Sequence, residues 1–178
     1  MQIVAISDED YTICRMEGTR PDVLIALGDI LDATIERAIN FYRPRITFGV
    51  RGNHDTSAPF GAGVIDLHCK TQQFENLTFG GFEGCWRYKP RGHHLYEQEE
   101  VSSLMKDFPS VDVFVAHNSP AGIHERDTET HQGFKHFRNY IDWHHPRWFI
   151  HGHQHVSAVT EHGTTTVIGV YGEQVLTL

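Results

Sequence analysis

Apolar residues fall in short runs that end on polar clusters, with amphipathic stretches between them. Gln2-Ile-Val-Ala-Ile-Ser7, Asp22-Val-Leu-Ile-Ala-Leu27, Arg45-Ile-Thr-Phe-Gly-Val50 and Val111-Asp-Val-Phe-Val-Ala116 read as strands, and Arg147 to Ile150 as a shorter one. From Asp32 to Tyr42 the period changes: Ile35, Ala38, Ile39 and Tyr42 share one helical face, with Asp32 as the expected N-cap. Tyr96 to Phe108 reads as a second helix, acidic at its start as the helix dipole favours. His131 to His144 reads as a third, ended by Pro146. Val64 to Phe82 breaks into short strands with a turn at Glu75-Asn76, and from Val156 onward Gly163 and Gly172 punctuate an expected meander. Alternation early and hairpins late predict an α/β domain with mixed sheets.

Composition narrows the class. The 178 residues suit one domain spanning residues 1–178, large enough to fold without disulfide or metal. A 39% hydrophobic and 21% charged content excludes disordered, collagen-like and coiled-coil chains. No apolar run approaches the ~20 residues of a membrane helix, and the start turns acidic at Asp8 before a signal-peptide core can form. Cys14, Cys69 and Cys85 are scattered, which argues against a disulfide framework or thiolate zinc site and for a reducing, cytoplasmic setting. The net charge of −8 argues against a duplex-DNA footprint. The abnormal count is histidine: 14 residues, many beside carboxylates, pointing toward metal chemistry.

The polar clusters at the strand ends carry that chemistry. They are Ser7-Asp8-Glu9-Asp10, Gly28-Asp29-Ile30-Leu31-Asp32, Gly52-Asn53-His54-Asp55, His117-Asn118 and His151-Gly152-His153-Gln154-His155. Loops at the carboxyl ends of strands converge in α/β sheets. Asp8, Asp29, Asn53, His117, His153 and His155, with Asp10 in question, offer oxygen and imidazole donors and no thiolate, a mix suited to Mn²⁺, Fe or Zn²⁺. Too many for one tetrahedral ion, they are natural for two ions sharing a bridging carboxylate, an arrangement that clamps both oxygens of an in-line phosphoryl displacement.

The set resembles the calcineurin-like metallophosphoesterases, in the compact bacterial form. Their signature of D-x-H, GD-x-x-D, GNH(D/E), a lone His and GH-x-H is matched in order across residues 8–155, imperfectly only at Asp10, where the pattern has His. The resemblance implies a four-layer αββα sandwich with two mixed β-sheets. It implies that Asp8 and His155 hold one metal, that Asp29 bridges, and that Asn53, His117 and His153 hold the other. It gives His54 contact with the phosphate and protonation of the leaving oxygen, with Asp55 placed to orient it. It implies hydrolysis of small phosphoesters by a metal-bridging hydroxide, with diesters, nucleotides included, ahead of monoesters. Two divalent ions are expected, Mn²⁺ favoured and Fe, Zn²⁺ or Ni²⁺ as alternatives, with neither duplex nucleic acid nor membrane as partner. A protein phosphatase, and a non-catalytic scaffold like the retromer subunit of this fold, are the rivals; intact His54 weighs against the scaffold.

Other residues have plainer readings. Asp32 fits a helix cap. His68, His93, His94, His136, His144, His145 and His162 match no motif element, and His151 is expected to be no ligand, whereas His124 and His131 flank an acidic loop within reach of the site. Gly84 to His94 reads equally as a solvated loop and as a phosphate- or base-binding one, with Arg87 as its phosphate contact. Ser119 lacks a base and orienter, which excludes serine catalysis.

Overall fold

Strand β1 (Gln2–Ser7) shows how the layers arise: Ile3 and Ala5 face one way, Val4 and Ile6 the other, and all four are fully buried. A strand buried on both faces must lie inside a layered structure. The computed structural model describes residues 1–178. Its first sheet continues through β2 (Val23–Ala26), helix α1 (Asp32–Tyr42), β3 (Ile46–Gly49) and β4 (Val64–Asp66), with these strands parallel. The chain then forms β5 (Thr71–Phe74) and β6 (Leu77–Phe82), an antiparallel hairpin turning at Glu75-Asn76, and a small parallel pair, β7 (Cys85–Trp86) and β8 (Leu95–Tyr96). Helix α2 (Gln98–Leu104), β9 (Val113–Ala116), helix α3 (Lys135–His144), β10 (Trp148–His151), β11 (Ala158–His162), β12 (Thr165–Gly169) and β13 (Gly172–Thr177) complete the chain. The second sheet runs β11-β12-β10-β9-β6-β5, and both large sheets are mixed.

Three apolar clusters define four layers. Ile25, Phe48, Phe79, Val115 and Ile150 belong to the one between the sheets, where Phe48 and Phe79 meet with ring centroids 4.8 Å apart. Leu24, Ala26, Ile35, Ala38 and Tyr42 seal α1 to the first sheet. Phe82, Phe114, Phe137, Tyr140 and Phe149 seal the second sheet under α2 and α3. Each such side chain contributes roughly 1.5–3 kcal/mol on burial. The αββα sandwich is as the sequence motifs implied. No helix is long and apolar enough to cross a membrane, and all three cysteines are unpaired.

Four local expectations need correction. Helix α2 is shorter than Tyr96 to Phe108 because Tyr96 stays extended to pair with Trp86, and a capping box between Glu97 and Glu100 starts the helix at Gln98. Helix α3 begins at Lys135, not His131: the Phe134 amide donates to Ser119 O and the Phe134 carbonyl accepts from Ala121, leaving Glu129–His131 as an isolated 3₁₀ turn. The N-cap of α1 is Leu31, and Asp32 is the first helical residue. The tail is no meander: β11 and β12 form an edge hairpin of the second sheet, whereas β13 crosses to pair antiparallel with β1.

Candidate metal centre

The strand-end loops of β1, β2 and β3 in one sheet and of β9 and β10 in the other meet at one end of the sandwich. Four predicted ligands there adopt the left-handed backbone conformation that non-glycine residues avoid: Asp8 (φ 60°), Asp29 (53°), His153 (61°) and His155 (50°). Such residues cost of order 1 kcal/mol or more each, and they cluster where function demands a particular side-chain direction. The loops also approach too closely for side chains at Gly28, Gly52 and Gly152. A Cβ on Gly28 (φ 93°) would lie 2.7 Å from His117 Nδ1, and one on Gly152 would overlap Ser7 Oγ and come within 2.8 Å of Asp8 Oδ2.

Donor atoms of Asp29, His117 and His153 all lie within 4.8 Å of one another, a spacing at which they could share a metal ion. His117 is completely buried, with Nδ1 2.7 Å from Leu27 O. A carbonyl only accepts, so Nδ1 carries the hydrogen and Nε2 faces Asn53 Oδ1 at 3.2 Å and Asp29 Oδ2 at 3.4 Å. Burial alone would lower the His117 pKa, but the Asp29 and Asp8 carboxylates raise it to about 9. Burial would raise Asp29, yet His117 and the His54 amide, which donates to Oδ1 at 2.7 Å, hold it well below the usual carboxylate range. Lone pairs from Asp29, Asn53 and His117 thus converge on one positive charge. A divalent cation fits that donor set in place of the proton. The Asn53 amide nitrogen is 3.4 Å from the Tyr88 hydroxyl, which turns its oxygen inward. His153 Nε2 is 3.0 Å from Thr130 O, so Nε2 carries the hydrogen and Nδ1 keeps the lone pair. Burial and the neighbouring His117 push the His153 pKa down to about 3, the neutral form a ligand requires.

Asp8 occupies the other side. Its Oδ2 accepts from Ser7 Oγ at 2.5 Å and from the His153 amide at 2.8 Å. Its Oδ1 is buried with no hydrogen-bond partner, 3.5 Å from His155 Nε2. Burial raises the Asp8 pKa, but His155, His117 and Ser7 outweigh it and keep the carboxyl ionised, and Asp8 in turn raises His155. A buried carboxylate oxygen lacking a donor is costly unless a cation meets it, so this side too fits a metal.

The remaining predicted residues separate. His54 is exposed and lines a small cavity with Ile30, Leu31, Asp32, Arg51, Asp55 and Thr56. Asp55 makes no hydrogen bond to the His54 ring; its Oδ2 accepts the Gly52 and Asp29 amides at 2.7 and 3.1 Å, fastening the two loops together. Burial, together with nearby Asp29, raises its pKa against the Gly52 hydrogen bond. Asp10 forms no hydrogen bond or ion pair with Asp8, Asp29 or His155; its Oδ1 accepts the Leu31 amide at 3.1 Å, at the start of α1. Arg87 is occupied by Leu95 O at 2.6 Å, Glu100 at 3.2 Å and Glu97 at 3.3 Å. Asp32, expected as a cap, instead pairs with buried Arg51 at 2.6 Å, directly before the Gly52-Asn53-His54 loop. His151 braces the Gly152 turn. Its Nδ1–H donates to Gly152 O at 2.9 Å, and its Nε2 accepts from His124 Nδ1 at 2.9 Å.

Sequence reasoning missed Ser7, Tyr88 and the Thr130 carbonyl. Ser7 had a signal in its adjacency to Asp8, and Tyr88 in its aromatic, cationic loop. A carbonyl has none.

Among solved structures the chain is similar to TT1561 of Thermus thermophilus, at 16% identity and TM-score 0.60, covering 96% of this chain and 89% of that one. It is similar to the phosphopantetheinyl hydrolase PptH of Mycobacterium tuberculosis, at 14% identity and TM-score 0.61 over the same shares, 96% and 89%. It is also similar to Vps29 complexed with Zn²⁺ from Entamoeba histolytica, at 11% identity and TM-score 0.52, covering 97% and 74%. These likenesses establish the fold. No curated protein matches the chain. The family model for calcineurin-like phosphoesterases matches residues 10–157, which span most of the strand-end clusters just described. The chain belongs to the calcineurin-like phosphoesterase family.

Proposed function

We propose that the protein is a two-metal phosphodiesterase acting on small substrates, nucleotides included. The observation that carries the reading is the pairing of a converging Asp29–His117–His153 group with an orphaned, ionised Asp8 oxygen beside His155. Asp8 and His155 would hold one cation, Asn53, His117 and His153 the other, and Asp29 both. Bound there, the cations would supply Lewis acidity toward a phosphoryl oxygen and toward water, with Mn²⁺ suiting the oxygen-and-imidazole donors.

The chain's own residues do the rest. Leu27 O and Thr130 O fix the tautomers of His117 and His153, and Tyr88 turns the Asn53 amide. Asp55 and the Asp32–Arg51 pair hold the loop that carries Asn53 and His54. His54, which is exposed, would give a proton to the departing oxygen. Arg51 and Arg87 are both engaged by carboxylates. The preference for a diester is carried over from the family resemblance.

The test is metal analysis, then an assay with added Mn²⁺ of an aryl phosphodiester beside the matching monoester, for the wild type and Asp29→Asn. Diester turnover exceeding monoester turnover, and lost by orders of magnitude in Asp29→Asn, is expected. Unchanged turnover in metal-loaded Asp29→Asn would remove the two-metal reading, and a monoester preference would remove the diesterase assignment.

A further inference from the structure

We infer that His131 is a ligand of the cation on the Asp8–His155 side. The inference rests on the two-cation reading and assigns a residue that the strand-end motifs do not contain.

The two sides of the centre are unequally supplied. Asn53, His117, His153 and Asp29 face one ion. Asp8, His155 and the shared Asp29 leave the other with three protein donors, and Asp10, bonded through Oδ1 to the Leu31 amide at the start of α1, forms no hydrogen bond or ion pair with any of them. The next imidazole is His131. Its ring centroid lies 5.9 Å from that of His155, steeply inclined at 75°, and 5.0 Å from that of His153. Two imidazoles bound to one ion at about 2.1 Å place their centroids roughly 5–6 Å apart, so the spacing to either histidine suits a shared ion, and the buried Asp8 Oδ1 beside His155 decides for that side.

The tautomer also fits. His131 Nδ1 lies 2.6 Å from Thr128 Oγ1 and 2.8 Å from Thr130 Oγ1. Either hydroxyl can accept Nδ1–H, an arrangement that would leave the lone pair on Nε2, which has no protein partner. Ligating histidines are held in this way, with the distal nitrogen donating to a fixed acceptor. His131 is well anchored too. The same 3₁₀ turn offers Thr130 O to His153 Nε2 at 3.0 Å and His131 O to Gln154 Nε2 at 2.9 Å, which ties it to the Gly152–His155 loop. The buried, unpartnered Asp8 Oδ1 points independently to a cation here.

The test is calorimetric titration of the metal-free full-length protein with Mn²⁺, for wild type, His131→Ala, His131→Gln, Asp8→Asn and the double variant Asp8→Asn/His131→Ala. Thermal melting without metal checks that each variant is folded. The wild type should bind two ions. His131→Ala and His131→Gln should weaken one of them by tenfold or more and leave the other unchanged. In the Asp8→Asn background, removing His131 should weaken only that same ion further and leave the other at wild-type affinity. With Co²⁺, the visible absorption of the affected site should change as a nitrogen donor is lost. Two ions bound with wild-type affinity by both His131 variants would overturn the inference, as would a raised KM with intact binding, which would make His131 a phosphate contact. Weakening of the other ion in the double variant would also overturn it. A wild type that binds no divalent cation would instead overturn the two-cation reading on which the inference stands.

Discussion

Replacing Asp32 with alanine should destabilise the metal-free protein by about 2 kcal/mol, a value that lies between two limits. Breaking a fully buried ion pair costs ~3–5 kcal/mol, because the surviving charge is left without a partner. Losing an exposed pair costs ~0–1 kcal/mol. Here the Arg51 side chain is 6% exposed and that of Asp32 is 50% exposed, so water covers half the loss on one side only. After the substitution the guanidinium would retain Ala58 O at 3.2 Å and the Phe60 ring at 3.8 Å, while its Nε is already buried without a partner. In urea denaturation the midpoint should fall with no change in slope. Thermally, about 2 kcal/mol corresponds to a drop of roughly 4–8 °C for a chain this long. Part of the loss, ~0.3–1 kcal/mol, is an acidic residue removed from the first turn of α1. A cycle with Arg51→Met separates that part, since Met fills much of the same space without a charge. Added to Asp32→Ala, Arg51→Met should recover ~1 kcal/mol or more, the cost of the unpaired buried charge. A loss below ~0.5 kcal/mol, the scale of an exposed pair, or a double variant weaker than Asp32→Ala alone, would refute the clamp.

Two further outcomes follow from the site. His54→Ala should slow hydrolysis of esters with basic leaving groups far more than that of esters with acidic aryl groups, with bound metal unchanged; equal losses on both would assign His54 to holding phosphate. Asp10→Ala should lower stability by about 1 kcal/mol, as loss of a carboxylate that accepts an amide at a helix start does, while Mn²⁺ affinity stays constant; weakened Mn²⁺ binding in titration would make Asp10 a ligand.

Which parts of this molecule can be read from its residues follows from which interactions are local. The strands β1, β2, β3 and β9 were legible because their apolar runs are short and bounded, and the hairpin turn at Glu75-Asn76 because its backbone is set by the adjacent pairing of β5 with β6. Helix starts were less so. Phe134 looks helical, but its backbone bonds to Ser119 and Ala121, far back in sequence. Asp32 has the residue type of a cap, yet Arg51 draws it away. β13 was legible as a strand; its partner was not, because an edge strand half-buried on both faces suits either sheet. In the site, side chains that follow glycine at strand ends were recognisable by type and spacing. Arg87 was legible as a cation beside aromatics, but Glu97 and Glu100, which hold it, lie ten or more residues away on and before α2.

The orientation of the candidate ligands depends on atoms that carry no residue identity. His117 is turned by Leu27 O and His153 by Thr130 O. No substitution at residues 27 or 130 deletes a carbonyl, so exchanging those side chains tests packing and leaves the hydrogen-bond acceptor in place. What positions each carbonyl is the course of the main chain. Leu27 directly follows β2 and is held by its amide to Ile6 O on β1, so its carbonyl is placed by the pairing of those strands. Thr130 lies on the 3₁₀ turn that Gln154 ties to the Gly152–His155 loop. The acceptor for His117 is therefore built on a sheet buried between two apolar layers, and that for His153 on a surface segment with few apolar contacts. Segments of the second kind open at lower free energy than buried strands. Of the two imidazoles, His153 is thus the one whose tautomer and aim depend on a loop staying closed, and Gln154, fully buried and bonded to Asn118, Ser119 and His131, is the side chain that keeps it so.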